Sequence, residues 1–108
     1  MSQDLQFLYM IRPARPAMLT EGPTAAERAA VGEHFAYLQA LQASGALVLA
    51  GRTQNTDESS FGIVIFYADS EAAAGQIMRS DPAVLAGVMV ATLYPYRIGL
   101  LAAHEPIG

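Results

Sequence analysis

The chain of 108 residues is predicted to fold as one small α+β domain of βαββαβ order, with helices on one face of a sheet and a second copy of the chain covering the other. Three observations predict it. Strand-like and helix-like segments follow one another in that order, the split βαβ arrangement. Every strand-like segment is apolar on both of its alternating faces, whereas two helices cover only one side of a sheet. Apolar residues reach 53% of the chain against 15% charged, more than a small monomer ordinarily hides.

Residues 5–12 (LQFLYMIR) are aromatic and aliphatic up to Pro13 and read as a first strand ended by proline. Phe7, Tyr9 and Ile11 lie on one face, and Leu8 and Met10 on the other. From Pro13 to Pro23 three prolines and Gly22 break any periodicity, so a long loop is expected, placed like a lid beside the strand end. Thr24 and Glu27 have the spacing of a capping box and open a helix to about Ser44, with Val31, Phe35, Leu38, Leu41 and Gln42 along one stripe and Gly45 as its stop. A second strand over 46–53 and a third over 61–67 enclose a polar turn at 55–59. Ser70 caps a shorter second helix ending near Ser80, and Asp81-Pro82 begins one more helical turn. The last strand, 88–98, contains Pro95, which demotes its far end to an edge or a bulge. The tail from Gly99 is expected to be weakly structured or docked on a neighbouring subunit.

The absence of cysteine excludes disulfides, thiolate nucleophiles and cysteine-held metal centres. All six cations are arginines, which removes Schiff-base and phosphate-loop lysines. Ten carboxylates against six cations would repel a nucleic-acid backbone. No apolar run approaches the roughly 20 residues of a membrane helix. Asp4 stands where a signal peptide would be positive, so a soluble protein of the reducing cytoplasm is expected. The βαββαβ order is shared with RNA-binding RRM domains, and FGIVIF weakly resembles their stacking strand. Ser59 and Ser60, however, stand where that motif carries a basic residue and glycine.

Of two histidines, His34 sits among Val31, Phe35 and Leu38 on the apolar stripe of the first helix, while His104 falls in the tail and reads as solvated. His34 is either a core histidine with a satisfied ring nitrogen or a general acid–base facing a cleft. Asp81 is either an ordinary N-cap or the carboxylate that orients His34. Arg12, at the end of the first strand, is a candidate clamp for an anionic group, and Gly51 with Arg52 a place where a ligand approaches backbone. Metal-ligand spacings are absent and no cofactor is called for.

EHFAYLQALQASGALVLAG (33–51) and SEAAAGQIMRSDPAVLAGV (70–88) make the chain resemble the YciI-like, or YCII-related, family. With the first strand these stretches cover most of the chain. The resemblance implies a ferredoxin-like subunit that pairs into a homodimeric α+β barrel, with residues 1–108 as a single domain. It also implies an active site formed by a histidine of the first helix and the aspartate of an Asp-Pro pair, which fall on His34 and Asp81. The expected chemistry is cofactor-free and of lyase or isomerase type, dehydrochlorinase-like or muconolactone isomerase-like, on a small oxygenated cyclic or carboxylate compound. A non-catalytic dimer that binds a metabolite or serves as an accessory protein is the alternative. The chain departs from the family at Arg52, where proline is frequent, and at Ala83, where an aromatic residue is frequent.

Overall fold

The computed structural model describes residues 5–102, and His104 lies outside them. The elements are β1 (Leu5–Pro13), α1 (Ala17–Thr20), α2 (Ala25–Ala43), β2 (Leu47–Arg52), β3 (Gly62–Ala68), α3 (Glu71–Arg79), α4 (Pro82–Leu85) and β4 (Met89–Tyr96). The strands form one antiparallel sheet in the order β2-β3-β1-β4. This is a ferredoxin-like α+β fold in which β1 and β3 are central.

Local chemistry sets the helix ends. Thr24 Oγ1 accepts from the Glu27 amide at 3.1 Å while Glu27 Oε1 accepts from the Thr24 amide at 2.8 Å, so the capping box is complete. At the other end of α2, Gly45 has φ +86°. Its amide donates to Gln42 O and that of Ala46 to Leu41 O, the paired bonds of a Schellman stop that glycine adopts without steric cost. Ser70 Oγ accepts from the Ala73 amide and starts α3.

The helix-side face of the sheet is the core. Phe7, Tyr9 and Ile11 of β1 pack with Val64 and Phe66 of β3, Leu38 of α2 and Ala74 of α3. The Phe66 ring lies 6.2 Å from Phe7 and 5.7 Å, edge-on, from Tyr9. The opposite face carries Leu8, Met10, Ile63 and Tyr67, with Leu49, Val90, Tyr94 and Tyr96 at least 40% exposed. Both faces are apolar and helices cover one.

Two expectations change. The segment 13–23 is not a structureless loop, because α1 lies within it and buries Met18. One helical turn is too short for periodicity to reveal. Phe35 is 62% exposed, so the buried line of α2 runs instead through Ala30 and Leu38. Pro95 lies on the edge strand β4, one of the two placements expected for it, in register opposite Phe7, and the register shift of the sheet lies in β2 between Leu47 and Leu49.

Candidate active site

Asp81 combines a helix cap with contacts across the core. Outside α4, at φ −61° and ψ 125°, it accepts from the Ala83 amide on Oδ1 at 3.0 Å, the N-cap that an Asp-Pro pair favours. The cap uses one oxygen and leaves the other inward. Oδ2 lies 2.6 Å from His34 Nδ1 and accepts a hydrogen bond from Tyr9 Oη at 2.7 Å. Residues 72 positions apart in the chain, Tyr9 and Asp81, thus meet with no solvent exposure at either. The His34 side chain retains 12% exposure.

Burial opposes ionisation of Asp81, but hydrogen bonds from His34 and Tyr9 outweigh it and hold the carboxyl below its ordinary range. Tyr9 is pushed far upward, first by burial and then by donating to Asp81. Tyr37 is also raised, by burial and by the Asp81 charge, and donates to Ile77 O at 2.8 Å. An ionised carboxylate has no hydrogen to give, so Nδ1 of His34 carries one and donates it. In the neutral ring the lone pair then sits on Nε2, which has no partner among the described residues. Such a histidine can take a proton from a substrate and return it.

His34 forms part of the wall of a cavity of about 320 Å³ between α1, α2 and the β2–β3 hairpin. Most of the wall is apolar: Ile11 and Met89 from the sheet, Met18 and Leu19 from α1, Val31, Phe35 and Leu38 from α2, and Phe61. α1 is held there by Arg15, whose Nε and Nη2 donate to Glu27 at 2.8 and 2.7 Å and whose Nη2 also donates to Gly22 O.

The other sequence candidates divide. Gly51 and Arg52 line the cavity, with Ser60 beside them, and Asp81 lies behind His34. Arg12 is elsewhere: it is in register with Val90 on the uncovered face of the sheet, Nη2 3.8 Å from Met10 Sδ. Strand alternation already groups Arg12 with Leu8 and Met10. Tyr9 was not singled out from the sequence, although it shares a strand face with Phe7 and Ile11, and a buried tyrosine hydroxyl needs a partner. Nothing local marked Ser60. Among the described residues no group of three or more histidine and carboxylate side chains could hold a metal ion, and no helix is long and apolar enough to cross a membrane.

Fold and site together define a ferredoxin-like α+β domain with a small-molecule-sized cavity backed by a buried histidine–aspartate–tyrosine cluster. The YCII-related domain matches residues 7–96, and the chain belongs to that family. Among solved structures, the 5-chloro-2-hydroxyhydroquinone dehydrochlorinase TftG from Burkholderia phenoliruptrix AC1100, in complex with 2,5-dihydroxybenzoquinone, is similar. The TM-score is 0.62 at 22% identity, over 86% of this chain and 95% of that one, a likeness of fold. No curated protein matches the chain.

Proposed function

We propose that the protein is a homodimeric, single-domain YciI-like enzyme that carries out cofactor-free acid–base chemistry, of lyase or isomerase type, on a small oxygenated cyclic or carboxylate compound. His34 Nε2 moves the proton, and Asp81 holds the ring in the required tautomer and stabilises its charged form. Tyr9 and the Ala83 amide fix the aspartate. Gly51 and Arg52 line the binding end, and the anion-holding part considered for Arg12 passes to Arg52. The observation that carries this reading is the 2.6 Å contact of the buried Asp81 with Nδ1 of His34, which lines an apolar cavity.

The dimer is supported by the uncovered apolar face of the sheet. Leu49, Val90, Tyr94 and Tyr96 stand on the face that the helices leave open, and a second sheet packed face to face is the simplest cover for it. Sedimentation equilibrium at micromolar concentration is expected to give twice the chain mass. A stable monomer would overturn the assembly.

The test of the chemistry is turnover of a panel of hydroxylated, chlorinated and carboxylated ring compounds, 5-chloro-2-hydroxyhydroquinone among them, followed by chloride release and mass spectrometry. The parent is expected to convert at least one of them, and His34→Gln to be slower by roughly 10²–10⁴-fold. A folded His34→Gln protein working at the parent rate would refute the mechanism. Ligand-induced thermal stabilisation with no product from any compound would favour the binding-protein alternative.

A further inference from the structure

We infer that Arg52 makes this cavity selective for single-ring carboxylates, the carboxylate seated on the guanidinium and the ring among the apolar walls. The inference rests on the cavity being the substrate site proposed above and adds the chemical class that it admits. Among the lining residues no carboxylate occurs, and Arg52 is the one arginine. The chain as a whole is acidic, with a formal net charge of −4, so this cation is placed against the prevailing sign.

Arg52 reaches the cavity through a backbone device. From Leu47, simple alternation along β2 would send Arg52 to the uncovered face of the sheet. The register shift between Leu47 and Leu49 reverses the alternation, so that Ala50 pairs with Val64 and Arg52 with Gly62 on the helix side. Gly62 keeps the floor open: a Cβ there would lie 3.1 Å from Ile11 Cγ1 and 3.2 Å from Gly51 O. The guanidinium forms no ion pair among the described residues, and its one hydrogen bond there is long, 3.4 Å to Thr53 O. Arg15 is engaged with Glu27, and Arg12 lies on the far face.

A planar guanidinium left free at the mouth of an apolar cavity matches a carboxylate through two parallel hydrogen bonds, which a neutral amide or alcohol does not reproduce. Ser60 is 4% exposed and lines the same end, its Oγ 3.2 Å from Thr53 Oγ1, and adds a hydroxyl beside the anion. A volume of about 320 Å³ is at the small end for ligand sites and suits one ring with short substituents.

Isothermal titration of the full-length protein at pH 7.5 with benzoate and cyclohexanecarboxylate, against benzamide and benzyl alcohol, tests the inference. The parent is expected to bind the carboxylates about ten-fold or more tightly than the neutral analogues. Arg52→Gln should erase that preference, Arg52→Lys should keep part of it, and Arg12→Gln should retain it. Equal binding of benzoate and benzamide by the parent, no carboxylate binding, or an unchanged preference in folded Arg52→Gln would each overturn the inference. The two readings fail separately. A carboxylate preference without turnover of any compound removes the enzyme but keeps this assignment, and His34-dependent turnover without the preference does the reverse.

Discussion

Asp81 and Glu27 both serve the start of a helix, and both carboxyls are held below their ordinary range, yet only one builds a site. Glu27 is half-buried beside the solvent-exposed Arg15, where Arg15 first and the Thr24 amide second bring it down to about 2. All its partners lie within 12 positions of it in the chain. Asp81 is sealed under the sheet and held by β1, α2 and its own helix start. Solvent screens the first arrangement, whereas the second has none to fall back on, so every lost partner leaves a buried polar group unpaired. The contrast teaches that an ordinary cap becomes part of a buried cluster when tertiary packing dries it and turns its second oxygen toward a histidine.

The largest expected effect is that of Asp81→Ala, which strands the Tyr9 hydroxyl and the His34 Nδ1 hydrogen and removes a cap. Urea unfolding should show a loss of about 3 kcal/mol or more. A loss under about 1 kcal/mol would mean that the cluster is wetter than its burial indicates. Next comes Tyr9→Phe, which keeps the ring against Phe66 and deletes one bond to a charged acceptor, for about 2 kcal/mol in the same measurement.

Acid titration sharpens the comparison further. Both carboxyls are depressed in the folded state, so each contributes stability that is fully present above the unfolded value near 4 and lost as pH falls through the folded value. The urea midpoint should fall between pH 5 and 2.5. Asp81→Asn and Glu27→Gln are each expected to flatten that fall, and a fall unchanged in Asp81→Asn would break the comparison. At the alkaline end, Tyr9 is held protonated by burial and by Asp81, so stability should decline as pH rises above about 10, less steeply in Tyr9→Phe. The smallest effect belongs to Arg15→Gln, which should lower the urea midpoint only slightly, since solvent at the 42% exposed Arg15 side chain screens the pair.

What could be read from the chain alone follows the same division. The capping box at Thr24 and Glu27, the Gly45 stop, the Ser70 cap and the Asp81-Pro82 turn each close hydrogen-bonded rings over a few residues, so their spacing is visible in one dimension. The first strand showed its two apolar faces by alternation, and the uncovered face of the sheet is where they led. α1 leaves no trace because one turn has no period, and Arg12 has the strand-end place of a clamp although alternation turns it away from the helices.

The sequence by itself determined the order of elements, their caps and the apolar character of both sheet faces, because those depend on neighbours within a turn or a pleat. Only the tertiary structure decided that His34 and Tyr9 meet on one carboxylate oxygen, across 47 and 72 positions of chain. It also decided that a shift in β2 turns Arg52 rather than Arg12 toward the cavity. The reason is physical: strand register and helix docking are settled by the packing of the whole core, and one residue of shift exchanges the faces of everything beyond it.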